Sequence, residues 1–174
     1  MKVKSNNIPH ILVLLISVLI FFGCASIRKI KNDEPVDAAT LKGIIEAQNF
    51  VFTARYVNPM SGGKRELSSG YEVSISKDTV ISYLPFFGRG YIASISPSDV
   101  DFDFTSTKFT YAIKPANRGW SISVKPKDQT YLRELYFRIF DNASASLNVT
   151  SIDRSVISYD GYISERKLKE VKKK

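Results

Sequence analysis

From Phe50 to Ile163, apolar side chains fall on every second residue in short runs separated by polar turns. Phe50, Phe52, Ala54 and Tyr56 form one such series; Tyr71, Val73 and Ile75 form the next, and Lys77-Asp78 turns it toward Thr79–Leu84. Val100, Phe102 and Phe104 follow, then Phe109, Tyr111 and Ile113. A turn at Pro115–Gly119 leads into Trp120, Ile122 and Val124. Leu135, Phe137 and Ile139 lead through Asp141-Asn142 into Ala145, Leu147 and Val149, and Ile157, Tyr159 and Ile163 close the pattern. Side chains on a strand alternate between faces, so period two with short links predicts strands wet on one side only. Ser121/Ser123 and Ser144/Ser146/Asn148/Thr150 supply the polar alternates. The expected fold is mainly β: an antiparallel meander of eight or nine strands in a curved half-barrel or lipocalin-like sheet. Closing or nearly closing such a sheet hides its edges. One helix is expected ahead of the strands, over 35–48, with Asp33 as cap, Pro35 in the first turn, and Leu41, Ile44, Ile45 and Gln48 on one face.

The N-terminus carries an address. Lys2 and Lys4 precede an apolar run from Ile11 to Phe22, broken only by Ser17, and the run ends on Gly23-Cys24. It is too short to span a bilayer as a helix and has the layout of an export signal. Gly before Cys is the small residue a lipoprotein peptidase needs, so Cys24 is the expected lipidation site. The chain then divides into a signal (1–23), a lipidated tether (24–34), one β-rich domain (35–164) and a basic tail (165–174). Diacylglyceryl and N-acyl chains on Cys24 give stable anchoring, at about 0.8 kcal/mol per buried methylene. Ala25 and Ser26 follow the Cys, which predicts the outer membrane. The first charges, Arg28, Lys29 and Lys31, are basic, which favours the periplasmic face over cell-surface display.

Composition narrows the chemistry. The single Cys is Cys24 and the single His, His10, lies in the signal. The exported chain therefore has no Ser-His-Asp or Cys-His nucleophile system, no zinc site built on His or Cys, and no disulfide. The formal charge of +8 is concentrated at the ends, with Lys2 and Lys4 in the signal and six basic against two acidic residues in 165–174. The tail suits anionic headgroups or wall polymer better than nucleic acid. The expectation is a non-enzyme without metal or cofactor.

Three segments stand out. Leu84-Pro85-Phe86-Phe87-Gly88-Arg89-Gly90-Tyr91 sets large rings beside an arginine in a loop that Pro and Gly shape. Such residues make binding hot spots, and Phe86, Phe87, Arg89 and Tyr91 are the candidate ligand or partner contacts. The alternative is that Phe86 and Phe87 plug the end of the sheet. Asp99, Asp101 and Asp103 alternate along a strand, but Phe104 and Thr110 stand where a calcium loop needs Gly and Glu. Asp78-Thr79-Val80 matches an Asp-Ser/Thr-apolar pattern for O-glycosylation, with Thr79 as acceptor; a hairpin turn explains it equally well.

The order of lipobox, helix, LPFFGRGY, GWSISVKP and LYFRIFDNASASLNVTSIDRSVISYDGYI resembles the domain-of-unknown-function family 4251, lipoproteins of Bacteroides-type bacteria. The likeness covers about residues 36–164. It is most specific at Leu84–Tyr91 and at Ser151–Ile163, where an Arg after a turn leads into Ser-Tyr-x-Gly. The resemblance implies the same address and fold and no catalytic residue. The first reading of function is a module holding an apolar or lipid-like ligand inside the sheet; the alternative is a structural or assembly lipoprotein docking an envelope protein, and a His-free hydrolase ranks last. The second predicts a filled interior.

Overall fold

The computed structural model describes residues 36–89 and 101–166. Helix α1 (Ala38–Glu46) is followed by β1 (Phe50–Asn58), the two-residue β2 (Arg65–Glu66), β3 (Glu72–Ile75), β4 (Val80–Leu84) and β5 (Phe102–Ser106). Then come β6 (Phe109–Ala116), β7 (Gly119–Pro126), β8 (Leu132–Phe140), β9 (Ser144–Ser151) and β10 (Ile157–Glu165). The strands form one antiparallel sheet in the order β5-β4-β3-β1-β10-β9-β8-β7-β6, with β2 on the flank of β1. The protein is mainly β, with the sheet nearly closed as a barrel and one helix packed on it.

The closure follows from strand direction. First and last strands pair, with Phe50 opposite Glu165 and Phe52 opposite Ile163. Every neighbouring pair along the path is antiparallel, and an even number of steps separates β5 from β6, so these two run the same way. Only Thr107 and Lys108 lie between them, and the chain keeps its direction across these two residues. They are two halves of one bent strand. The first half pairs with β4 (Ser82 opposite Phe104) and the second with β7 (Tyr111 opposite Val124). Asp128 holds the bend, accepting from the Ser106 hydroxyl and from the Thr107 and Lys108 amides at 2.9 and 3.2 Å. These bonds pull the Asp128 carboxyl below its usual range, the Ser106 bond foremost.

The inward faces are those of the alternating pattern. Phe50, Phe52, Val73, Ile75, Ile122, Val124, Leu135, Phe137, Ile139, Leu147, Val149 and Tyr159 are all fully buried. One departure from simple alternation has a local cause. Tyr56 was placed inward by the pattern but is exposed, because a β-bulge between Ala54 and Tyr56 shifts the register against β10 and turns Val57 in instead. At the same place Gly161 lies so close to β1 that a Cβ would sit 1.9 Å from the Thr53 carbonyl oxygen. Ile113, near the end of β6, is also exposed. Val100 lies outside the described residues.

Helix α1 is shorter than expected and starts later. Its cap is Asp37, not Asp33: the carboxylate accepts from the Ala39 and Thr40 amides at 3.0 Å each and from the Thr40 hydroxyl at 2.6 Å. Leu41, Ile44 and Ile45 are buried, as the spacing predicts. Gln48 instead takes a left-handed backbone at φ 53° beyond the helix end. The Tyr111 hydroxyl on β6 donates to the Ile45 carbonyl at 3.0 Å, tying the helix to the far side of the sheet from β1.

Rings meet across the interior. Phe137 on β8 contacts Phe50 and Phe52 on β1 edge-on, with centroids 6.1 and 5.8 Å away. Since β9 and β10 separate β8 from β1 in the sheet, these contacts span the barrel rather than follow it. Among the described residues, one buried side-chain polar group has no partner: the Ser82 hydroxyl. An unsatisfied buried hydroxyl forfeits its hydration, so Ser82→Ala is expected to stabilise the fold by about 1 kcal/mol, read as a higher denaturation midpoint in urea.

Candidate functional site

The chain leaves β4 at Leu84 and must satisfy the backbone of a loop that no strand accompanies. The Tyr159 hydroxyl, buried on β10, donates to the Pro85 carbonyl at 2.7 Å. The Phe86 amide donates to Asp101 at 3.1 Å. Arg89 and Ser155 then bond reciprocally: the Ser155 amide donates to the Arg89 carbonyl at 3.1 Å and the Arg89 amide to the Ser155 hydroxyl at 3.3 Å. Gly88 is required between them, since a Cβ there would meet the Phe86 ring at 2.4 Å and the Ser155 hydroxyl at 2.6 Å. The two most distinctive sequence segments, 84–89 and 151–163, are thus one structural unit at one end of the barrel.

At its centre is Arg154. The guanidinium lies over the rings of Phe102, Phe86 and Tyr131 at 5.0, 5.2 and 5.7 Å. It forks onto the neighbouring carboxylate, Nε to Asp153 Oδ1 at 3.1 Å and Nη2 to Oδ2 at 2.8 Å. The Arg154 and Asp153 side chains are only 5% and 9% exposed. A planar, weakly hydrated cation suits this place, where a lysine would offer neither the fork nor the stacking plane. Burial pushes the Asp153 carboxyl up, but the Arg154 hydrogen bond, the Ser151 hydroxyl and the Arg154 charge outweigh it and hold it below the usual range. Burial pushes the Tyr159 and Tyr131 hydroxyls up, which keeps them protonated.

These shifts set an acid limit. Asp153, Asp128 and Asp160 all have carboxyls lowered in the fold. Their stabilisation is fully present above the unfolded value of about 3.9 and is lost as pH falls through the lower folded values. Urea midpoints are expected to stay level from pH 7 to about 5 and to drop progressively below about pH 4.

The candidate contacts separate by environment. Phe86 is buried and edge-on to Phe102 at 5.6 Å, so it closes the end of the barrel. Phe87 is 38% exposed, with the Arg65 guanidinium 5.4 Å from its ring. Arg89 is exposed and held by its backbone. Ile152 and Val156, which flank the buried Asp153-Arg154-Ser155, are exposed too. Sequence reasoning singled out neither of these, nor Tyr131; two adjacent opposite charges inside an otherwise uncharged stretch were the available signal. Tyr91 and Cys24 lie outside the described residues. Thr79 sits in the β3–β4 turn, half-buried, its hydroxyl donating to Asp78 at 3.1 Å while Ser76 donates to the same carboxylate oxygen at 2.6 Å. Of the Asp99/Asp101/Asp103 series, Asp101 holds the Phe86 amide and Asp99 lies outside the described residues. Among the described residues, no three His, Cys, Asp or Glu side chains gather as a metal site would require.

The model for the domain of unknown function DUF4251 matches residues 33–163. The chain belongs to the DUF4251 family. A crystal structure of a DUF4251 family protein from Bacteroides eggerthii DSM 20697 is similar in fold, with a TM-score of 0.54 at 13% identity over 74% of this chain and 85% of that one. No curated protein matches the chain. The DUF4251 match spans the helix and both halves of the Arg154 unit. At 13% identity the structural likeness speaks for the barrel alone.

Proposed function

We propose that this DUF4251 protein is an envelope lipoprotein, anchored through Cys24 in the outer membrane with its domain in the periplasm, and that the domain docks an envelope protein. The observation that favours docking over carriage of an apolar ligand is the Phe137 contact with Phe50 and Phe52 across the barrel. Space that an acyl chain would need is taken by rings in mutual contact. Docking needs a rigid surface, and the Arg154 unit supplies one. Phe87, Arg89, Ile152 and Val156 are exposed on a loop pair whose backbone is pinned from beneath. Apolar side chains on a pre-ordered loop bind at low entropic cost. The exported chain lacks histidine and carries no cysteine beyond Cys24. That composition supports a non-catalytic role.

Photo-crosslinking in intact cells tests the reading. A crosslinking side chain at Phe87 is expected to give one discrete protein adduct, which a second substitution, Val156→Asp, removes. The same group at Thr110, on the outer face of β6, is expected to give none. No adduct at Phe87, or the same adduct from both positions, overturns docking at this end. Phe87 is the informative position; Phe86→Ala would act through the core instead.

A further inference from the structure

The strand pairings fix what lies at each end of the barrel. Phe50, the first residue of β1, is opposite Glu165, the last of β10, and helix α1 runs directly into β1. Tyr162 is opposite Ser144, Phe140 opposite Gly119, and Gly119 opposite Ala116. The β6–β7 turn, Asn117-Arg118, therefore sits at the end that holds α1, and the Arg154 unit, between β9 and β10, at the other. The basic residues of 165–174 follow β10 in the sequence, so they join the domain at the α1 end.

The tip of the β6–β7 hairpin combines apolar and basic groups. Ile113 is opposite the buried Ile122, and Pro115 opposite Trp120, so these side chains share the inner face. Toward the tip that face loses its cover: Ile113 is 37% exposed, Pro115 is exposed and Trp120 only half-buried. Ala112 and Lys114, on the outer face, are exposed as well, so the strand stands clear of the barrel on both sides. Among the described residues Lys114 has no ion-pair partner, whereas Arg118 lies 3.9 Å from Asp141. The turn is held in place: Arg138 Nη2 donates to the Asn117 carbonyl at 2.6 Å and the Asp141 amide to the Arg118 carbonyl at 3.2 Å.

We propose that this tip is a membrane contact, with Ile113, Pro115 and Trp120 at the headgroup–acyl boundary of an anionic bilayer and Lys114 and the tail among its phosphates. Tryptophan suits that boundary, since its ring is apolar and its N–H polar. A lysine without a partner and a basic tail are drawn to anionic headgroups. The occupant is a bilayer rather than a protein because exposed apolar groups and positive charge coincide at the end that holds α1, the first element after the tether in sequence. The proposal rests on the Cys24 anchoring given above. It also orients the domain, with the tip toward the lipid and Phe87 away from it.

Trp120 is the single tryptophan of the chain and reports the contact directly. Full-length protein is reconstituted into vesicles of equal parts phosphatidylglycerol and phosphatidylcholine, or of phosphatidylcholine alone, each carrying brominated acyl chains. Bromine is expected to quench Trp120 about twofold in the anionic vesicles, where the ring lies at the interface, and much less in the neutral ones. Lys114→Glu, at an exposed position, is expected to remove most of that quenching, and Ile113→Ser to lower it, with thermal melts confirming that both variants fold. Flotation separates this proposal from the anchoring it rests on. Protein that floats with the vesicles but is not quenched, or is quenched equally in neutral vesicles or in folded Lys114→Glu, overturns the tip contact and leaves the anchor standing. Protein that fails to float overturns the anchor and the tip contact with it.

Discussion

Arg154→Ala is expected to destabilise the domain by about 3–5 kcal/mol, because it leaves the Asp153 carboxylate buried without its counter-charge. At about 4 °C per kcal/mol for a domain of this size, the melting temperature falls by roughly 12–20 °C. Asp153→Ala is expected to cost a similar amount by removing the carboxylate onto which the buried guanidinium forks beside Phe86, Phe102 and Tyr131. The double change Asp153→Leu with Arg154→Met should recover most of the loss, since an apolar pair of similar volume is often neutral in place of a buried ion pair. Thermal denaturation by circular dichroism on the wild type and the three variants reads both losses and the recovery. A loss under about 1 kcal/mol for Arg154→Ala would mean that the pair is solvated and that the loop end is not rigid.

Phe137→Ala is expected to cost about 3–5 kcal/mol, the range for removing a buried phenyl ring. Phe137 is fully buried and touches both Phe50 and Phe52 from across the barrel. Its removal deletes transfer energy and also leaves a void into which the surrounding strands relax only in part. Phe137→Leu keeps most of the volume and should lose only a fraction of that. Urea unfolding of both variants checks this, with the m-value confirming an unchanged transition. A near-neutral Phe137→Ala would mean that the ring borders open space, and the carrier reading would regain its footing.

Much of this was legible in the chain. Period two reports which face of a strand is dry, so Phe50/Phe52, Leu135/Phe137/Ile139 and Ala145/Leu147/Val149 were placed correctly from spacing alone. The helix face was legible for the same reason, through Leu41, Ile44 and Ile45. Its cap was not: Asp33 and Asp37 are equally good capping residues, and only the position of the helix against the sheet selects Asp37. Tyr56 was misplaced because a bulge shifts phase by one residue and leaves no mark on hydrophobicity. The single bent strand through Thr107-Lys108 was hidden too, since a kink held by Asp128 twenty residues on reads locally as an ordinary turn. The segments 84–91 and 151–163 were each conspicuous, but the joining of 84–89 to the second depends on Tyr159, Ser155 and Arg154 reaching across the barrel end. No local pattern encodes that contact.

Native mass spectrometry of the protein purified from its own membrane in detergent tests the central claim most directly. The account predicts a mature chain beginning at Cys24, carrying covalent acyl chains and no further mass that organic extraction removes. A chain that retains residues 1–23, or one that releases a reproducible apolar molecule on extraction, would contradict an anchored docking module with a filled barrel.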